Sequence, residues 1–416
     1  IRNYTNENKL KNVETTDLKK MIEMTTGQNL DWFFKQWLYE PGFPSYDVSW
    51  TYNQRKKELS IHVKQMQDLK TASLFKMPIK ILVDSGDKKE HIIWVEDLDS
   101  VYKIKSEKRP KMVIFNSGQK VPSNLKMQKS VADLKYQLKK ASNSLDRIWA
   151  AQELSKKKGR KVVEYTLLEA AKNDSFWAVR SEAYYALGRL KTNITSEDID
   201  WIKDKEKDNR VKRSFIKILK HQKNNLEVNK FLEDIIVSDT SYYSISEAIR
   251  TLVVVDTSKA KPLIDKLLNT ESHNDVIRKS ALSYFGQVQT TSNYIRLKEL
   301  AKYGKFSFPS RPTIINELSK YQKKRPSTFD FILTFFDDND RFVRMAVIAQ
   351  VGNYGSQSNH ELLDVMVEKD PVLSINATRA KAKIKKRKNS KSKKLDSKTI
   401  EILDKKLNAI KNIIND

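Results

Sequence analysis

The spacing of apolar residues changes twice along this chain, and each change marks a different kind of structure. Near the start, Asp17 to Glu23 reads as helix and Thr26-Gly27 as its stop, because glycine takes the left-handed conformation that ends a helix at no steric cost. In the next segment Leu30, Phe33, Phe34, Trp37 and Leu38 fall three or four residues apart, a wide apolar face that other protein must cover. Pro41-Gly42-Phe43-Pro44 closes that segment, since a residue before proline avoids the helical region.

From Tyr46 the period becomes two, with Tyr46, Val48, Trp50 and Tyr52 on one face, the pattern of a half-buried strand. Further strands are predicted at Leu59 to Gln65, Met77 to Val83, Ile92 to Val95, Val101 to Ile104 and Met112 to Phe115. Asp84-Ser85-Gly86-Asp87 is a hairpin-turn signal, so the six short strands predict a compact antiparallel sandwich that ends near Gly118.

Beyond Ser130 an acidic residue recurs ahead of a basic, alanine-rich amphipathic helix. The copies begin at Asp146, Asp174, Asp208, Asp275, Asp340 and Asp370, and two wide gaps leave room for further copies near Tyr243 and Ser307. A repeat of about 30 to 35 residues holds two helices and a turn, and such a pair buries its apolar face only by stacking on its neighbours. Each aspartate is expected to cap the second helix of its pair. Small residues such as Ala183, Ala186 and Gly188 permit close helix approach. Between Arg379 and Lys394 the chain is dense in lysine and arginine, the composition of an exposed linker. A last amphipathic helix then carries Ile400, Leu403, Leu407, Ile410 and Ile414 on one face.

The expected fold is therefore multi-domain and mainly α, a small antiparallel β-sandwich followed by a HEAT/armadillo-like α-α superhelix. Its divisions are 1–43 (helices), 44–118 (sandwich), 119–378 (helical repeats), 379–395 (basic linker) and 396–416 (terminal helix). With 416 residues, three units of ordinary size fit. The chain opens on Ile1 with neither the basic start nor the apolar middle of a signal peptide, and reads as cut from something longer. No apolar run is long enough for a membrane span, so no membrane partner is expected. Cysteine is absent, which removes disulfides and thiolate sites and fits a cytoplasmic location.

The formal charge of +26 favours polyanions or acidic partners. The basic tract from Arg379 to Lys394 reads as a solvated linker, as a loose grip on nucleic acid, or as a site for an acidic protein; it lacks the interleaved aromatics that stack on bases.

Catalytic patterns are missing. The histidines at 62, 91, 221, 273 and 360 do not cluster as zinc requires, and His360-Glu361-Leu362-Leu363-Asp364 starts like the helical zinc motif but ends in aspartate. No P-loop, dinucleotide fingerprint or Gly-x-Ser-x-Gly elbow occurs, so no catalytic, cofactor-binding or metal-binding residue is expected in this chain.

Tyr4, Thr16-Asp17-Leu18, Thr26-Gly27, the run Leu30-Asp31-Trp32-Phe33-Phe34-Lys35-Gln36-Trp37-Leu38 and Pro41-Gly42-Phe43-Pro44 together resemble the end of the thermolysin-like domain in the aminopeptidase N family of zinc aminopeptidases. In that family this helix leads through a Gly-x-Pro turn into a β-sandwich whose first strand resembles Tyr46 to Tyr52. Gln65-Met66-Gln67 and Met77-Pro78-Ile79 also sit where similar strands would carry a glutamine-rich end and a proline-led start. The later helices resemble the HEAT-like repeats that follow.

The resemblance implies a parent enzyme that removes N-terminal residues from peptides with zinc-activated water and a general-base glutamate. Its His-Glu-x-x-His, distal glutamate, Gly-x-Met-Glu-Asn motif and transition-state tyrosine would lie upstream, with zinc, in a catalytic domain that is this chain's partner. The helical stack would then wall the cleft and restrict entry of peptide substrate. The family also includes a transcription-initiation subunit without catalysis, so the alternative is a HEAT-type interaction scaffold for protein or nucleic acid.

Overall fold

The computed structural model describes residues 1–387, and the chain divides into two compact units, Ile1–Thr192 and Asn193–Asp416. It is mainly helical with small sheets. No helix among the described residues is long and apolar enough to cross a membrane. The helix expected over 396–416 and the linker from 388 onward lie outside the described residues.

The first unit opens with α1 (Arg2–Glu7), α2 (Thr15–Thr26) and α3 (Asp31–Phe34). Gly27, at φ 68°, ends α2 as expected and donates its N–H to Glu23 O. A π-helical turn over Lys35–Tyr39 follows α3 directly. The wider turn rotates the segment, so its inward face is Trp32, Phe34, Gln36 and Trp37 rather than the simple three-and-four series, and Phe33 and Leu38 face solvent.

Seven strands follow: β1 (Ser45–Asn53), β2 (Glu58–Gln65), β3 (Met77–Asp84), β4 (Lys88–Val95), β5 (Asp99–Lys105), β6 (Met112–Phe115) and β7 (Asn124–Met127). They form two sheets, β5-β2-β1-β7 and β4-β3-β6. Tyr46, Val48, Leu59, Ile61 and Val63 from one sheet and Ile79, Ile81, Val83, Val113 and Phe115 from the other fill one shared core, the burial that alternating sequences dictate.

The structure corrects the expected end near Gly118. The seventh strand lies beyond it and pairs parallel with β1, Val48 opposite Met127, so the first sheet is mixed rather than purely antiparallel. Four residues with one alternation give too short a signal to read, and a parallel partner needs a crossover, not a hairpin. Helices α4 (Val131–Lys140), α5 (Ser144–Leu154), α6 (Lys161–Asn173) and α7 (Trp177–Leu190) complete the unit.

The second unit contains α8 (Ser196–Asp204), α9 (Asn209–Ile218), α10 (Leu226–Ser238), α11 (Tyr242–Val255), α12 (Thr257–Ala260), α13 (Ile264–Asn269), α14 (Val276–Gln287), α15 (Thr291–Ala301), α16 (Arg311–Ser319), α17 (Ser327–Leu333), α18 (Arg341–Tyr354), α19 (His360–Lys369) and α20 (Ser374–Lys386). Helices start at Tyr242 and Arg311, next to the places left for missing copies. In α18 the buried stripe includes the small or β-branched Ala346, Val347 and Val351, whereas α14 also buries Tyr284 and Phe285.

The stretch expected as linker from Arg379 is instead the last turns of α20. Ala377, Ala380 and Ile384 share a buried stripe, and Ala380 lies against Gly352 of α18. Lysines on the open side cost such a helix little, so a charge run alone did not mark its end.

The expected aspartate caps hold only in part. Asp208 and Asp340 cap α9 and α18, accepting from Arg210 N and Phe342 N at 2.8 Å each. Asp146 lies inside the first turn of α5, while Asp174, Asp275 and Asp370 spend their carboxylates chiefly on arginine and serine side chains.

Candidate functional site

Two buried side chains fasten the opening segment to the sheets. Gln36 Nε2 donates to Lys76 O at 3.2 Å, and its Oε1 accepts from Lys76 N, so one amide satisfies both backbone groups ahead of β3. Beside it Trp37 meets Phe75 at 5.8 Å between ring centroids, and Trp32 meets Trp94 edge-on at 5.4 Å. Elsewhere on the opening segment Met24 (78% exposed), Leu38, Tyr39 and Phe43 stand in the open. A concentration of large apolar side chains on one short segment is the mark of a surface that something covers.

A polar pocket of about 410 Å³ lies where the sheets meet α4 and α5, lined by Lys129, Gln137, Asp146 and Trp149 among others. Lys129 Nζ donates to Val113 O and to Gln137 Oε1, and sits 5.3 Å from the Trp149 ring centre. Burial pushes its pKa down to about 8, against the pull of Asp133 and Asp146. Asp146 accepts from Ser117 Oγ at 2.8 Å and Gly118 N at 2.9 Å; burial nonetheless raises its pKa. These groups tie the helices to the sheet edge, and both hydrogens of a neutral Lys129 amine are used in doing so.

A second hollow of about 550 Å³ lies between α4 and α6, bordered by Lys139, Glu169, Arg147 and Asp174. Arg147 and Asp174 form a two-point pair there, Nε to Oδ2 at 2.7 Å and Nη2 to Oδ1 at 2.9 Å.

That pair belongs to a series. Arginines stand at 147, 180 and 213, and again at 278, 311 and 344, at one constant step and always in the early turns of the second helix of a pair. Several reach back to a carbonyl that the preceding helix leaves open: Arg147 to Ala141 O, Arg278 to Leu268 O, Arg311 to Ala301 O. The step was legible in the sequence and a better ruler than the aspartates, whose positions drift with turn length.

Among the described residues no three His, Asp or Glu side chains gather as a metal would need. His62 pairs with Asp99 on the sheet surface, and His360 opens α19 while Asp364 pairs with Lys381 on α20.

No protein-family model matches the chain, and no curated protein matches it. Among solved structures, the crystal structure of Legionella pneumophila aminopeptidase A in complex with aspartic acid superposes with a TM-score of 0.60, at 14% identity, over 92% of this chain and 53% of that one. The fold is aminopeptidase-like. At that identity the likeness speaks for architecture alone, and this chain spans about half the length of the aminopeptidase it matches.

Proposed function

We propose that this chain is the non-catalytic C-terminal part of a zinc metallo-aminopeptidase that removes N-terminal residues from peptides. Its opening helices would finish the upstream catalytic domain, its sheets would form the β-sandwich, and its helical pairs would stack as HEAT-type repeats that shape access to the cleft. The observation that carries this reading is the opening segment: Gln36 and Trp37 hold it to the sheets while Met24, Leu38, Tyr39 and Phe43 stand in the open. An aminopeptidase-like fold over half the length of the matched protein supports the same reading. The chain's own part would be structural, with zinc and the bond-making groups supplied from upstream.

The test is to read the coding sequence upstream of Ile1, express its whole product, and assay hydrolysis of aminoacyl-naphthylamides with and without a chelator. Chelator-sensitive release, weakened when Leu38→Glu and Tyr39→Glu are introduced together, is the expected result. An upstream sequence lacking His-Glu-x-x-His, or a product with no aminopeptidase activity, would sink the proposal.

A further inference from the structure

The second unit keeps its charges apart. Hydrogen bonds between successive second helices define two edges. At one, the helices begin: Asp275 accepts from Ser307 and Ser310, Arg311 binds Asp338, and Arg344 binds Asp370. At the other, they end: Asn224 N donates to Val255 O, Tyr321 Oη to Phe285 O, Arg325 to Thr291 Oγ1, and Lys383 to Asn353 Oδ1. Connections at the starting edge carry nine carboxylates and four lysines. Those at the finishing edge, from 219–225 through 320–326 to Arg387, carry nine lysines and arginines against the single carboxylate of Asp256.

Helix dipoles do not account for this. Each edge receives the start of one helix in a pair and the end of the other, so dipole compensation would place both signs at both edges. At the starting edge much of the negative charge is already spent within the fold, with Asp208, Asp275, Asp338 and Asp370 each paired to an arginine. At the finishing edge the free charge is cationic. Lys223, Lys259, Lys261, Lys323 and Lys324 are exposed and form no ion pair among the described residues, whereas Lys220 and Lys320 are held by Glu247 and Glu317.

We infer that this edge binds duplex nucleic acid through its backbone phosphates, without reading sequence. Free lysines recur in three of the five connections at this edge, 219–225, 256–263 and 320–326, and suit a linear polyanion whose charge repeats along its axis. The free groups are lysines, point charges rather than the guanidinium forks that read bases or grip one phosphate in fixed geometry. Beside them the exposed large apolar side chains are Leu226 and the rim of Tyr354, too few to stack on the bases of a single strand or to enter a bilayer. The inference is independent of the peptidase reading and stands or falls on its own measurement.

The measurement is fluorescence anisotropy of a labelled random-sequence DNA duplex against the full chain over a range of salt. Neutralising the edge with Lys259→Gln, Lys261→Gln, Lys323→Gln and Lys324→Gln is expected to weaken binding at least about tenfold and to flatten the slope of log K against log salt by about three to four. A control with the same loss of charge at the opposite edge, Lys205→Gln, Lys207→Gln, Lys302→Gln and Lys305→Gln, is expected to change affinity less than about twofold. All eight positions are exposed, and circular dichroism verifies that both variants fold. Equal losses in the two variants, no binding by the unaltered chain, loss only on neutralising Lys388, Lys391, Lys393 and Lys394, or a preference for anionic phospholipid vesicles over duplex would each overturn the inference.

Discussion

Arg311 holds Asp338 at two points, Nη1 to Oδ1 at 2.9 Å and Nη2 to Oδ2 at 2.6 Å, and its guanidinium also caps Ala301 O. Arg311 is 2% exposed and the Asp338 side chain 8%, so neither charge has water to fall back on. Removing one partner of a buried pair leaves the other desolvated and uncompensated, which costs about 3–5 kcal/mol. Arg311→Met should therefore lower the unfolding free energy obtained from urea titration by that amount, and adding Asp338→Asn should recover part of it. A double variant no more stable than Arg311→Met alone would show that the charge on Asp338 is not what suffers.

Gly286 makes room for a neighbour. A Cβ there would stand 1.8 Å from Glu317 Oε2 and 2.8 Å from Lys320 Cδ, so the Glu317 carboxylate fills the space that a side chain on α14 would need. Gly286→Ala should destabilise the chain by about 1–3 kcal/mol, the usual cost of overpacking. Shortening the obstacle with Glu317→Ala should relieve most of that in a double-mutant cycle, since residues in contact do not add. Strict additivity of the two changes in thermal unfolding would contradict the contact.

What the chain discloses beforehand depends on how local each signal is. Gly27, the period-two run from Tyr46 and the hairpin turn before Lys88 were readable because one short stretch dictates each. The parallel pairing of β7 with β1 was not, since its partner lies far upstream in sequence. Likewise the π-helical turn over Lys35–Tyr39 moved Gln36 inward through contacts with Lys76 that no helical wheel contains. The charged tract after Arg379 misled because Ala380 and Ile384, the residues that decide its fate, are few and small beside the lysines. For the candidate surface, the apolar composition of the opening segment was visible, but which side chains face out was not.

Gln36 has a stability signature distinct from the aromatic residues around it. Its amide satisfies both the N–H and the carbonyl of Lys76 at a site that is almost fully buried. Gln36→Leu keeps the volume and strands both backbone groups, so it should cost about 2–4 kcal/mol, at roughly 1–2 per unsatisfied group. Gln36→Glu restores the acceptor for Lys76 N but not the donor, and should fall between. Hydrogen exchange at Lys76 reads the effect directly: an unchanged rate in Gln36→Leu would mean that the segment is not held through this amide.

Lys129 sets a pH dependence of definite sign. Burial lowers its pKa from 10.5 to about 8 in the folded chain, while the unfolded chain keeps the ordinary value. Between those two values the unfolded state binds the extra proton and the folded state does not, so stability rises with pH across that window. The full difference corresponds to about 3 kcal/mol, present above the unfolded value and absent below the folded one. Neutral Lys129 still donates to Val113 O and Gln137 Oε1, so deprotonation removes the cost of a buried charge without breaking the tie between sheet and helix. Lys129→Met should flatten the rise in denaturant-derived stability between pH 8 and 10.5 relative to the unaltered chain. It should also lose the contact to Gln137 at every pH. A slope in that window unchanged by Lys129→Met would assign the titration to another group and leave Lys129 charged in its pocket.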